Sequence, residues 1–258
     1  MNDYIKHLFI RTPLERPLSR LRGLLGYRWR RRHPELREIF AEPARIEQVV
    51  RRILRESSNC IDIGCHLGSM LNLIVTLAPK GRHMAFEAMP QKAKWLKRKF
   101  PEVDVRAMAL SDRAGDVTFY QNVKKTGFSG LRPHADPGDR LAEIVVPCDR
   151  LDAVIPEQQR VDFIKLDVEG AELLVLRGGE KLLLQQRPSI LFECTTSGLT
   201  QFDVTPRDMY RYLTEALPYR VYLLKSWLNG DAPLELGAFE KAMVYPFQAF
   251  NFVATPRE

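Results

Sequence analysis

Cys60-Ile61-Asp62-Ile63-Gly64-Cys65-His66-Leu67-Gly68-Ser69 decides how the chain is read. A short apolar strand stops at Gly64, and the pattern behind it predicts a helix from Ser69 to Ala78. Glycines at 64 and 68 permit a tight turn and a close approach of backbone to a ligand. The helix offers unpaired N–H groups and the positive end of its dipole. Nineteen residues past Gly68, a second strand, His83 to Glu87, ends in a carboxylate. An acid in that place can bind both oxygens of a ribose diol, as in doubly wound nucleotide-binding folds.

The Asp62-x-Gly64-x-x-x-Gly68 spacing differs from the Gly-x-Gly-x-x-Gly of dinucleotide enzymes. It suits a cofactor with a ribose and no pyrophosphate, and S-adenosylmethionine is the candidate. The bland alternative is a tight strand-to-helix turn that binds nothing.

Outward from this motif, strand and helix alternate, which argues for a mostly parallel α/β sheet. A helix from Pro43 to Ser57 precedes it, with Ile46, Val49, Val50, Ile53 and Leu54 at helical spacing. Val103 to Ala107 reads as a third strand ending near Ala109 to Asp112. The alternation then breaks into two β-strands, Val117 to Gln121 and Ile144 to Val146, joined by a long loop from Lys124 to Glu143. A loop of that length is usually functional or disordered. Val161 to Leu166 is the next strand. The helix after it, Ala171 to Gln186, contains Gly178 and Gly179, where a break is expected. Ile190 to Glu193 is a strand, and Thr205 caps a helix over Pro206 to Leu217. Tyr219 to Leu224 and Phe250 to Ala254 read as a closing antiparallel pair.

A chain of 258 residues fits one α/β domain with an N-terminal extension. We place a basic, partly helical arm at 1–45 and the catalytic domain at 46–258. Residues 1–58 hold 14 Lys/Arg against seven Asp/Glu, so the net charge of +7 lies wholly in this part of the chain. Leu14 to Leu25 fits a basic amphipathic helix, and Tyr27 and Trp29 interleave with Arg28, Arg30, Arg31 and Arg32. That mixture suits an anionic membrane surface, an anionic substrate or a nucleic acid. It equally suits a solvated helical face. No apolar run is long enough to span a bilayer, and no secretory core is visible. Cys60, Cys65, Cys148 and Cys194 show no metal or redox spacing. They read as thiols of a reducing cytoplasm, with 60, 65 and 194 as small buried hydrophobes. The expectation is a cytoplasmic protein with peripheral contact at the inner membrane surface.

In open α/β sheets, ligands bind beyond the carboxyl ends of the strands. Asp62, Glu87, Asp167 with Glu169, and Glu193 all fall at such ends, and Asp112 follows a further strand. Lys165 and Asp167 share a strand face, and a Lys inside an apolar strand needs a carboxylate partner. Glu172 falls in the first turn of the following helix, where negative charge is favoured.

Ile164-Lys165-Leu166-Asp167-Val168-Glu169-Gly170-Ala171-Glu172 resembles the FkbM family of methyltransferases. So do Leu176-Arg177-Gly178-Gly179 and Arg187-Pro188 through Glu193. The motifs Ile61-Asp62-Ile63-Gly64 with Gly68, Phe86-Glu87, Ala109-Leu110-Ser111-Asp112 and Gly127-Phe128-Ser129-Gly130-Leu131 follow the same order. The resemblance runs from about 60 to 195. It implies a Rossmann-like class I methyltransferase sheet of seven strands, the last antiparallel, and S-adenosylmethionine as cofactor. It further implies that Asp62, Gly64 and Gly68 hold the methionine end, that Glu87 binds the ribose, and that Ser111 and Asp112 sit near the adenine. His66 lies in the same turn and is counted with the cofactor-binding residues. Cys65-His66 stands where Ala-Asn is frequent in the family, and Ala88-Met89-Pro90 follows Glu87 where Pro is usual.

Methyl transfer to an oxygen needs an oriented acceptor and a base within hydrogen-bond reach. Asp167, Glu169 and Glu193 are the candidates, with His66 and His134 in reserve. Clustered acids could instead hold a divalent metal that acidifies the hydroxyl, but the reading adopted has no metal. The expected acceptor is a hydroxyl on a sugar, glycolipid or secondary metabolite, chosen by the 124–143 loop and the arm. The alternatives are an RNA ribose methyltransferase, suggested by the basic arm and the Lys165/Asp167 pair, and a non-catalytic cofactor-binding module. Nucleic acid is disfavoured by the absence of an Asn/Asp-Pro-Pro-aromatic element after the fourth strand.

Overall fold

The computed structural model describes residues 31–123, 127, 129–133 and 138–257. The helix expected over 14–25 and His134 lie outside these residues. A helical turn, Pro34–Leu36, leads into α1 (Arg37–Ile53). The periodicity starts this helix at Pro43, but it starts at Arg37 with Pro43 inside. Proline removes one bond to the preceding turn. Arg45 spans that turn, donating to the Glu38 carbonyl at 3.4 Å and its carboxylate at 2.8 Å. α1 is therefore continuous across positions 45 and 46.

β1 (Cys60–Ile63), α2 (Ser69–Leu77), β2 (Met84–Phe86), α3 (Pro90–Lys99) and β3 (Asp104–Arg106) follow in alternation. Next come β4 (Ala109–Ser111), β5 (Gly115–Asn122), β6 (Leu141–Arg150) and the short α4 (Leu151–Val154). The alternation resumes with β7 (Phe163–Leu166), α5 (Glu172–Gly178), α6 (Glu180–Gln186) and β8 (Ser189–Glu193). The chain closes through α7 (Thr196–Thr200), α8 (Pro206–Arg211), β9 (Tyr219–Leu223), α9 (Leu224–Asn229), α10 (Leu236–Ala242) and β10 (Asn251–Pro256).

Seven strands form the main sheet in the order β3-β2-β1-β7-β8-β10-β9. Only β10 runs antiparallel, between β8 and β9, as the sequence reading expected. Register fixes what each face carries. Asp62, Lys165, Leu191 and Val253 lie side by side on one face. Around them, Val49 and Val50 of α1 and Ile74 of α2 cover Cys60, Phe163 and Leu191. Ile61, Ile164, Ile190 and Ala254 occupy the other face, under Leu173 and Leu176 of α5 and Leu182 and Leu183 of α6. Each fully buried Ile or Leu contributes about 1.5–3 kcal/mol of hydrophobic stabilisation.

A second sheet, β4-β6-β5, departs from the sequence reading. Ala109 to Ser111 does not end the third strand. It leaves the main sheet and pairs in parallel with Cys148 to Arg150 of β6. Met89, Ala109, Phe119, Val146 and Cys148 give this sheet its own small core. The helix expected over 171–186 breaks at Gly178–Gly179 as anticipated. A Cβ at Gly178 would lie 2.0 Å from the Ser111 carbonyl oxygen, so the second sheet packs backbone to backbone on α5. Thr205 caps α8 in a full capping box, and the helix ends in a π-helical turn, Tyr212–Ala216. All four cysteines are free and buried. Among the described residues, no helix is long and apolar enough to cross a membrane.

Candidate active site

The turn after β1 is shaped by Gly64, at φ +77°. A Cβ there would lie 1.7 Å from the Asp167 carbonyl oxygen, so β1 and β7 can approach this closely only with glycine. The N–H groups of Gly64 and Cys65 donate to the Phe86 carbonyl at 2.9 and 3.3 Å, tying the turn to β2. His66, at φ +51°, donates its N–H to the Glu87 carboxylate at 2.8 Å. Gly68, at φ +87°, is the second left-handed residue of the turn, as expected. Its missing side chain also makes room for Leu96 of α3 and for Phe100 just past that helix, and it is not among the walls of the cavity beside the turn.

That cavity, of about 300 Å³, opens at the carboxyl ends of β1 and β2. Gly64, His66, Glu87, Met89, Lys92 and Met108 are among its walls. An adjoining hollow of about 240 Å³ shares Gly64, His66 and Asp167 and extends to Ser69, Lys165 and Asn251. Glu87 is buried between its two backbone donors, His66 at 2.8 Å and Met89 at 3.0 Å. Burial raises its pKa, against the pull of Lys92 and those N–H groups. A carboxylate has about four lone-pair directions, so two remain for a diol.

Ser111 and Asp112 are not among the cavity walls. Met108, Ala109 and Leu110 are. Ser111 donates its hydroxyl to Asp112 at 3.2 Å, and its carbonyl faces Gly178 of α5. The departure of β4 into the second sheet carries both residues past the site.

Lys165 is the hinge of the acidic cluster. Its Nζ lies 2.9 Å from Asp167 Oδ2, 3.1 Å from the Gly64 carbonyl and 3.9 Å from Asp62 Oδ1. Asp62 is fully buried, and neither carboxylate oxygen has a hydrogen-bond partner among the described residues. Burial pushes Asp62 up to about 6, with Lys165 opposing. Asp62 is not a wall of either cavity, and Lys165 is the charge beside it.

The three acids expected at the site do converge: one carboxylate oxygen each from Asp167, Glu169 and Glu193 lies within 4.8 Å of the others. Their environments push them apart. Burial alone would raise Asp167, but Lys165 and hydrogen bonds from Glu193 and Lys165 outweigh it and hold the group ionised. Burial and the neighbouring Asp167 charge drive Glu193 well above the carboxylate range. Burial, then Asp167 and Glu172, push Glu169 up to about 8. Such a donor set could share a hard cation. The Lys165 ammonium already occupies Asp167.

Glu172, buried at the start of α5, receives the N–H groups of Val168 at 2.9 Å and Gly170 at 3.2 Å. It holds the 167–170 turn, in which Glu169 adopts φ +58°. Gly130 of the β5–β6 loop packs on the Glu169 side chain, and Gly127, Ser129 and Leu131 line the main cavity. The described part of the loop expected to choose the acceptor thus lies against the candidate base.

Lys92 and Asn251, which the sequence motifs do not single out, also line these cavities. Lys92 is buried on α3 beside Ala93 and Leu96, a lysine on an apolar helix face, and that signal was readable. Asn251 carried no local signal.

Comparison with known proteins places these residues in context. Residues 62–221 match the family model for the methyltransferase FkbM domain. The 2-O-methyltransferase NoeI of Sinorhizobium fredii is 29% identical over 160 residues, which is 54% of this chain and 65% of that protein. The AMB antimetabolite synthetase AmbE of Pseudomonas aeruginosa is 27% identical over 180 residues, covering 55% of this chain and 8% of that protein. The chain thus spans less than two thirds of each relative's length. A solved structure of methyltransferase FkbM from Methylobacillus flagellatus superposes with a TM-score of 0.50 at 14% identity, over 78% of this chain and 44% of that one. At that identity the likeness bears on the fold alone.

Proposed function

The chain belongs to the FkbM family of methyltransferases, and from that premise we propose that it methylates a hydroxyl group of a small-molecule or glycan acceptor, with S-adenosylmethionine as donor. One observation carries the reading: the carboxylates of Asp167, Glu169 and Glu193 meet beside a cavity that is also lined by the buried Glu87. S-adenosylmethionine supplies an electrophilic methyl carbon when bound.

The residues present fit that cofactor. Glu87 keeps two acceptor directions for ribose hydroxyls, and Gly64 lets the backbone close in without a side chain. Asp167, held as an anion by Lys165, offers negative charge where a sulfonium would be stabilised. Glu169 suits the base. Its pKa near 8 is close to working pH, where a base is most effective. Asp167 is held low by Lys165, and Glu193 is not among the walls of either cavity. The name of the Sinorhizobium relative supports oxygen as the methylated atom.

Calorimetric titration with S-adenosylmethionine and S-adenosylhomocysteine tests the reading, followed by an acceptor screen over glycans, secondary metabolites and RNA. Micromolar binding, and methyl incorporation into a hydroxyl compound, is the expected result. A folded wild-type protein that binds neither nucleoside would overturn it. Incorporation into RNA alone would replace the acceptor class.

A further inference from the structure

Glu42 of α1 reaches the mouth of the sheet more than two hundred residues away in sequence. It is buried, and its Oε1 accepts the backbone N–H groups of Phe250 at 2.8 Å and Asn251 at 2.9 Å. Its Oε2 accepts the Asn251 side-chain amide Nδ2 at 3.1 Å. An ionised carboxylate only accepts, so it sets which way the amide faces. Nδ2 turns to Glu42, and Oδ1 has no hydrogen-bond partner among the described residues.

Asn251 borders the smaller hollow with Lys165 and Asp167, and it lies opposite Glu193 in the β8–β10 register. Directly opposed side chains leave the same face of a sheet. The other wall of the hollow is the β1–α2 turn and Ser69 at the start of α2. Helix-end N–H groups on one side and carboxylate and amide oxygens on the other complement a zwitterion.

Resting on the methyltransferase reading above, we propose that Asn251 Oδ1 accepts a hydrogen bond from the α-ammonium of the cofactor's amino-acid end, and that Glu42 is the positioning residue that orients that amide. The helix that joins the N-terminal arm to the sheet is then part of the binding site, through one carboxylate.

The test compares two ligands. S-adenosylhomocysteine has the amino-acid end, and 5′-methylthioadenosine lacks it. Asn251→Ala is expected to weaken the first about tenfold or more and leave the second unchanged, as for loss of a charge-assisted hydrogen bond. Glu42→Gln should do the same, because the Gln amide would face Nδ2 and turn the Asn251 amide over. Melting temperature confirms that each variant is folded. Equal losses for both ligands, or no loss for either in a folded Asn251→Ala protein, would overturn the proposal. A folded wild-type chain that binds neither ligand would sink the methyltransferase reading instead. If Glu42→Gln does not fold, the two-ligand comparison on Asn251→Ala decides the contact, and Glu42→Asp, whose shorter carboxylate shifts the acceptor, decides the positioning: it should weaken S-adenosylhomocysteine and spare 5′-methylthioadenosine, and equal losses for both would overturn that role.

Discussion

Lys165 Nζ lies 2.9 Å from Asp167 Oδ2, and this pair organises the charge of the whole site. Lys165 leaves β7 on the face that also carries Asp62, and Asp167 follows the last residue of that strand. One ammonium thus sits beside two buried or half-buried carboxylates and the Gly64 carbonyl. It keeps Asp167 ionised and leaves the neighbouring acids to bind protons.

Lys165→Met should destabilise the protein by about 3–5 kcal/mol at pH 7.5, since it strands buried charge. Urea denaturation measures this. Asp62 has its pKa raised on folding to about 6, so the folded state takes up a proton between its ordinary value and 6. Stability from this group falls as pH rises through that window. Lys165 holds that pKa down, so in the variant Asp62 binds its proton at higher pH than in the wild type; the deficit should therefore narrow as pH falls from 7.5 to 5, and a deficit that widened would contradict this account of Asp62.

Methyl transfer at saturating substrates should rise with pH and level off above about 8. Glu169 is neutral below that value and becomes a base as pH passes it. Glu169→Gln should lower kcat by about 10²–10⁴-fold, the usual worth of a general base, and remove the rise. A variant that kept both the rate and the profile would move the base to another group.

Glu87→Ala should weaken S-adenosylhomocysteine binding by about 10–100-fold, because hydrogen bonds to a charged group each contribute about 1.5–3 kcal/mol. It also leaves the N–H groups of His66 and Met89 without their acceptor. A drop in melting temperature should accompany the loss. Calorimetry on the folded fraction separates the two effects.

Gly64→Ala should cost about 1–3 kcal/mol from the left-handed backbone alone. The Asp167 carbonyl oxygen, 1.7 Å from the added Cβ, must also move, so the total should exceed that range. Gly230→Ala, at φ +78° and with nothing within 4 Å, is the comparison that isolates the backbone cost. Equal losses at the two positions would show that the β1–β7 contact yields freely.

Several features are legible in the amino-acid sequence. The β1 turn, the strand–helix alternation, the partner for Lys165 and the break at Gly178 are written in stretches of ten residues or fewer. Turn chemistry, side-chain period and the cost of an unpaired charge act at that range. The convergence of Asp167, Glu169 and Glu193 followed from a fold-level rule about strand ends.

Other features could not be read that way. Pro43 stays inside α1 although proline normally marks a boundary, and Arg45 bridges the turn it weakens. Gly68 also makes room for Phe100, and Ser111 and Asp112 turn toward α5. The clamp between Glu42 and Asn251 joins α1 to β10, more than two hundred residues apart.

The sheet, its switch point and the kind of chemistry placed there follow from the order of residues along the chain, because local periodicity and charge dictate them. Which of those residues face the cavity follows from the assembled fold instead. It depends on which distant strands pair and which backbones touch, and those contacts are stabilised by packing across the whole domain, with no trace in any one segment.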